Sequence, residues 1–291
     1  MLPPSYENLF SYNAMEFYMV SHTLTVGFAI MLAALFYFIL TIRTVAPRYR
    51  ISSVLSVVVM VSAFLILFFQ QQSWENAFMW DETQQLFIRD EAALPFSNGY
   101  RYLNWLIDVP MLLLQILFIV EITKQRRASL RNWFFFSGSM MIVTGYIGQF
   151  YEVSEVVRGE AGEILSYSLA GTPFFIWGAI STLFFFHVLF LIYKIVQEAR
   201  KELPGNAATV MGTIGVLFFV SWFLYPGAYL MPLWDEGAMS VVGRQITFTV
   251  ADVASKVIYG ILLAYVAQIR SNHDGYVYEE IEGGNEGLEA A

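Results

Sequence analysis

Seven stretches of mostly apolar residues run along this chain, at roughly 15–42, 52–73, 101–123, 132–152, 173–197, 209–232 and 244–269. Each is near the length of about 20 residues that carries an α-helix across a bilayer. Such stretches leave few architectures open, because a backbone in lipid must satisfy its own hydrogen bonds. The expected fold is all-α, a seven-transmembrane helix bundle forming one domain over residues 1–270. Composition agrees: of 291 residues 57% are hydrophobic and 14% charged, the latter about half the share usual in soluble domains. There is no cysteine, which excludes disulfides and thiolate metal sites. His22, His187 and His273 are scattered, without the spacing of metal ligands.

The charges between the segments alternate in sign. Arg43, Arg48 and Arg50 follow the first; Lys124, Arg126, Arg127 and Arg131 follow the third; Lys194, Arg200 and Lys201 close the fifth. The other connections are acidic, with Glu75, Asp81, Glu82, Asp90 and Glu91, then Glu155, Glu160 and Glu163, then Asp235 and Glu236. The positive-inside rule places the basic set in the cytoplasm, the N-terminus outside and the C-terminus inside. A net charge of -8 argues against a nucleic-acid partner. The 74–100 connection is long enough for a short hairpin. Residues 271–291 are rich in Gly and Glu and read as a disordered acidic cytoplasmic tail. The start of the chain lacks a basic n-region, so no cleaved signal peptide is expected.

Ionisable residues inside spans are costly and need partners. Lys256 lies mid-segment, with Asp252 one helical turn earlier on the same face. A helix–helix ion pair is one reading. The other is a desolvated lysine carrying a carbonyl cofactor as a Schiff base. In the third segment Arg101, Asn104, Asp108 and Gln115 share one face and climb about 21 Å at 1.5 Å per residue. Interhelical hydrogen bonding explains Asn104 and Gln115. Asp108 needs a cation, and Lys256 and Arg101 are the candidates. If a proton moves from the lysine nitrogen to Asp108, both charges vanish together, which is the basis of a switch. In the sixth segment Trp222, Tyr225 and Pro226 present one face. With Trp105 they form either ordinary aromatic packing or a slot for a flat apolar ligand.

Asp252-x-x-x-Lys256, Arg101-Tyr-Leu-Asn-Trp105 and Trp222-x-x-Tyr-Pro226 resemble the microbial rhodopsins over all seven segments. Asn104, Asp108 and Gln115 further resemble the NDQ subgroup, the light-driven sodium-pumping rhodopsins of bacteria. Residues 98–113, 144–154 and 225–232 are also similar to that subgroup. The resemblance implies a photoactive ion transporter, not an enzyme. It implies all-trans retinal bound to Lys256, flanked by Trp105, Trp222, Tyr225 and Pro226. Asp108 is then counterion and reversible proton acceptor, supported by Ser62. Sodium is the implied cargo, with Asn104, Asp108 and Asp252 as a transient site and protons carried when sodium is absent. Glu152 and Arg244 match an exit pair, or form an interfacial ion pair without function. Ser56 and Gln115 match the entrance side. Ser53 and Ala264 stand where the family has asparagine and glycine, so ion selectivity at the entrance is left open. Leu94 and Phe17 replace the aspartate and tyrosine of an interprotomer sodium site. His22 matches a first-segment histidine and otherwise reads as a buried core residue. A bacterial inner (plasma) membrane location and a homo-oligomer, a pentamer, are further implications. The alternatives are an outward proton pump and a photosensory rhodopsin.

Overall fold

The computed structural model describes residues 5–159, 164–234 and 236–278. Seven helical rods make up the bundle: α1 (Ala14–Thr41), α2 (Arg50–Ala77), α3 (Gly99–Leu117), α4 (Lys124–Gln149), α5 (Thr172–Glu202), α6 (Asn206–Leu230) and a composite seventh. The seventh comprises α7 (Ala238–Asp252), a π-helical segment (Val253–Ile258) and α8 (Tyr259–His273). Rods adjacent in sequence pack together, and α7 closes the ring against α1. Large apolar side chains such as Phe36, Leu40, Leu183 and Val216 point outward and are exposed. Arg101, Asn104, Asp108, Gln115, Asp252 and Lys256 are buried within. A helix that is apolar outside and polar inside suits a bilayer as solvent.

Local chemistry sets the rod ends. Asn13 and Glu16 form a reciprocal capping box at the start of α1, with bonds of 2.9 and 2.8 Å. Pro204 stops α5, and Gly205 takes φ 47° to start α6. Five rods are long and apolar enough to cross a membrane by themselves. The other two, α3 and α4, carry more charge: α3 holds Arg101 and Asp108, and α4 opens on Lys124, Arg126, Arg127 and Arg131. The third segment was expected to continue to 123, but α3 ends at Leu117. Ile119, Val120, Ile122 and Thr123 are β-branched and weak helix formers. The Ile119 carbonyl instead accepts from Arg270 Nη1 at 2.6 Å.

The expected hairpin is present between α2 and α3. Strands β1 (Phe78–Asp81) and β2 (Leu86–Arg89) pair antiparallel, and the Asp81 carboxylate accepts from the backbone of Thr83 and Gln84 in the turn. A second hairpin, β3 (Val153–Arg158) and β4 (Ile164–Leu169), joins α4 to α5. The N-terminal segment folds over this same end. Tyr12 bridges Phe87 by two backbone bonds of 2.9 and 2.7 Å, and Tyr6–Leu9 form a 3₁₀ turn that is largely buried.

Two positions differ from the sequence reading. His22 is exposed on α1, stacked near Tyr18, rather than buried. Ordered structure runs past residue 270: α8 ends at His273, and Tyr276 accepts from Arg50 and donates to the Arg43 carbonyl. The tail beyond, residues 279–291, lies outside the described residues. Leu94 is exposed in its loop, and Phe17 stacks on Phe87 at 3.8 Å.

Candidate functional site

Helix α3 and the composite seventh rod meet in a buried cluster of four charges, Arg101 and Asp108 from α3, Asp252 from the end of α7 and Lys256 from the π-helical segment. Lys256 Nζ lies 2.5 Å from Asp252 Oδ1 and 3.6 Å from Asp108 Oδ2. The same nitrogen donates to Asn104 Oδ1 at 2.8 Å. Asn104 Nδ2 in turn donates to Asp108 Oδ2 at 2.6 Å and to Ser62 Oγ at 3.1 Å. Asn104 thus sits between the lysine and Asp108, bonded to both.

The two carboxylates are held very differently. Arg101 Nη1 donates to Asp252 Oδ2 at 2.8 Å, while Trp105 Nε1 and the Tyr225 hydroxyl each donate to Asp252 Oδ1 at 3.0 Å. Arg101 also reaches Thr249 Oγ1 and Gln245 Oε1. Asp108 Oδ1 has no hydrogen-bond partner among the described residues. The sequence left Arg101 and Lys256 as rival partners for Asp108. The structure gives Arg101 to Asp252, so Lys256 is the cation that serves Asp108.

Lys256 also borders an apolar cavity between α3, α4, α5 and α6, with Trp105, Trp222, Tyr225, Pro226 and Phe248 in its wall. Gly145 and Gly178 line the same cavity. A methyl group on either would stand 3.2–3.3 Å from Ser181 Oγ or Tyr229. The π-helical turn lies around the lysine itself, a distortion frequent at functional sites. A long, flat, apolar carbonyl compound suits this wall, with the lysine amine at one end and aromatic faces along it.

A model of the family described as bacteriorhodopsin-like protein matches residues 18–269. The chain belongs to this family. Bacteriorhodopsin-II of Haloarcula marismortui is 26% identical over 163 residues, covering 56% of this chain and 57% of that protein. A green-light absorbing proteorhodopsin of a gamma-proteobacterium is 22% identical over 178 residues, 60% of this chain and 63% of that one. The match therefore spans somewhat over half the length of these relatives. Among solved structures, xanthorhodopsin, described as a light-driven ion pump with dual chromophore, gives a TM-score of 0.79 at 28% identity, covering 92% of this chain and 100% of that one. A thermophilic rhodopsin gives 0.79 and 28%, covering 92% and 99%. Members of the family are membrane proteins that act as light-driven ion pumps or sensors rather than enzymes and carry retinal on a lysine.

The remaining positions of this rhodopsin fall at the two ends of the bundle. At the hairpin end Arg244 Nη1 pairs with Glu152 at 2.6 Å and with Glu7 at 3.2 Å, all buried. Sequence reasoning missed Glu7. It lies outside every apolar segment, and only the 3₁₀ turn brings it inward. Asn98 and Gln245 were missed too; both bond Glu7, and Gln245 Nε2 also donates to Asn98 Oδ1 at 3.0 Å. Gln245, Thr249, Asp252 and Lys256 are spaced four, three and four apart, so a helical face drawn through Lys256 would have found Gln245. Toward the other end Gln115 is buried, with neither Nε2 nor Oε1 hydrogen-bonded among the described residues. Ser53 and Ser56 are buried on α2, and Ala264 is half-buried on α8. No hydrogen bond joins Gln115, Ser53, Ser56 and Ala264 to one another among the described residues.

Proposed function

We propose that this rhodopsin is a light-driven outward sodium pump in which Asp108 accepts the proton of the Lys256 nitrogen and gives it back. The observation that carries the reading is the α3 triad. Asn104 bridges Lys256 and Asp108, and Gln115, on the same helix face, has no carboxyl group to supply a replacement proton.

Bound to Lys256 through its carbonyl carbon, retinal would supply light absorption and a light-driven change of shape that moves the lysine nitrogen. The chain's own residues do the rest. With the nitrogen protonated, the cluster holds Lys256 and Arg101 against Asp108 and Asp252, and its charges cancel. Passing one proton to Asp108 leaves Arg101 paired with Asp252 and no buried charge unmatched. Passing it to Asp252 instead would strip Arg101 of its carboxylate at the cost of an isolated buried cation. Asp108 is therefore the acceptor.

While the lysine nitrogen is neutral, the barrier it presents to a cation is removed. A hard cation takes oxygen ligands, and Asn104 Oδ1 with the Asp108 and Asp252 carboxyls offers them in one place. Ser53, Ser56, Gln115 and Ala264 form the entrance side. Glu152 and Arg244 form the exit side, and Glu7 joins them. Reprotonation from Asp108 restores the charge behind the departing ion, so no net proton crosses. Protons travel the same route when sodium is absent. The alternating charge of the connections supports an N-terminus outside and a C-terminus in the cytoplasm of a bacterial plasma membrane, and the subgroup resemblance supports a pentamer.

Illumination of cells suspended in sodium chloride and then in potassium chloride tests this. Outward sodium transport draws protons in passively, so the medium turns alkaline in sodium, more so with a protonophore, and this response is lost in potassium. Acidification that the protonophore abolishes in both salts would make the protein a proton pump, and no pH change at all would make it a sensor.

A further inference from the structure

At the end of the bundle away from the hairpins, α4 and α5 enclose an open groove whose wall includes Gln125, Arg126, Ser129, Trp133, Leu191 and Lys194. Its polar and apolar parts are segregated along the rods. Gln125, Arg126 and Ser129 stand in the first turns of α4, and Lys194 stands two turns from the end of α5. Trp133 and Leu191 each lie one turn deeper, toward the middle of the bundle. Trp133 is half exposed there, as a tryptophan at the level of lipid headgroups would be.

The charge is unbalanced. Lys124, Arg126, Arg127, Arg131 and Lys194 make ion-pair contact with one carboxylate among the described residues, Glu198, and it goes to Arg126. Lys194 Nζ rests 4.5 Å over the Phe190 ring, and among the described residues it forms no ion pair, Glu198 one turn on being held by Arg126. A basic groove opening beside spanning helices at headgroup depth is suited to a phosphate carried by a lipid.

We propose that this groove binds the headgroup of an anionic phospholipid, its phosphate between Lys194 and Arg126 and an acyl chain along Trp133 and Leu191. A free phosphate would leave the apolar half of the groove unused. A zwitterionic lipid would bring its own ammonium group toward Lys194, whose charge no carboxylate of the groove pairs, since Glu198 is held by Arg126. The proposal is independent of which ion the protein moves.

Native mass spectrometry of the full, retinal-loaded protein tests it, with phosphatidylglycerol, phosphatidylcholine and inorganic phosphate as probes. Phosphatidylglycerol should persist as a discrete adduct where phosphatidylcholine is lost. Lys194→Ala should reduce its retention about fivefold, the effect of one cation near a charged surface. The pair Lys194→Ala with Arg126→Ala should reduce it further, and Lys201→Ala should not. Visible absorption in each variant reports an intact bundle. Lys194→Gln, which keeps most of the stem, serves if the alanine variant fails to fold. Equal retention of the two lipids, an unchanged adduct in the double variant, or displacement of the lipid by equimolar inorganic phosphate would overturn the proposal.

Discussion

Two carboxylates flank Lys256, and their surroundings assign them different work. Asp252 is nearer but is held by Arg101, Trp105 and Tyr225; Asp108 is farther and is held chiefly through Asn104. Asp252→Asn should therefore act as a structural lesion, leaving Arg101 buried without its carboxylate at a cost of about 3–5 kcal/mol. Thermal denaturation of the retinal-loaded protein would show it, and adding Arg101→Gln should recover part of the loss; a double variant no better than the single one would argue against the pair. Asp108→Asn should leave the fold intact, shift absorption to the red and stop transport. Lys256→Ala should give a folded protein that stays colourless with retinal. Lys256, Asp108 and the Gln115 stripe were legible in the sequence because charge inside an apolar segment has few explanations. The division of partners was not legible, because each cation shares a rod with one aspartate and spacing along the chain says nothing of the cross-rod pairs Arg101–Asp252 and Lys256–Asp108.

The rods themselves were legible from apolar length alone, and their ends were not. The third segment stays apolar to Ile122, yet α3 stops at Leu117, where the Arg270 side chain from the far end of α8 takes over the Ile119 carbonyl. The π-helical turn around Lys256 has no signature in side-chain period. The second hairpin was hidden because acidic residues in 153–169 read as a plain connection, although Val153, Val156 and Ile164 turn partly inward. Contact between rods gives a test at this scale. A methyl group on Gly260 of α8 would lie 2.6 Å from Phe38 of α1, so Gly260→Ala should destabilise the bundle by about 1–3 kcal/mol. Gly227→Ala on α6, where the added methyl meets nothing within 4 Å, should be neutral or slightly stabilising in the same denaturation assay. Loss of stability at both positions would mean that helix strain rather than the α1–α8 contact sets the cost.

For the whole molecule, one end of the bundle is sealed and the other is charged. The N-terminal turn, two hairpins and the Glu7–Arg244–Glu152 cluster close the first. Glu7→Ala should free the N-terminal segment and speed its proteolysis while Arg244 keeps Glu152; unchanged cleavage would show that Tyr6 and Tyr12 hold it unaided. Between the ends, Gln115, Asn104 and Asp108 climb one face of α3 past the lysine nitrogen, and the account requires one proton to leave that nitrogen and come back. Light-induced infrared difference spectroscopy on the intact protein, compared with Asp108→Asn, measures this directly. A carboxylic acid band should rise as the Lys256 nitrogen loses its proton, decay as the nitrogen regains it, respond to sodium concentration and be absent in the variant. A band that persists in Asp108→Asn, or a nitrogen that never loses its proton while sodium still moves, would contradict the account.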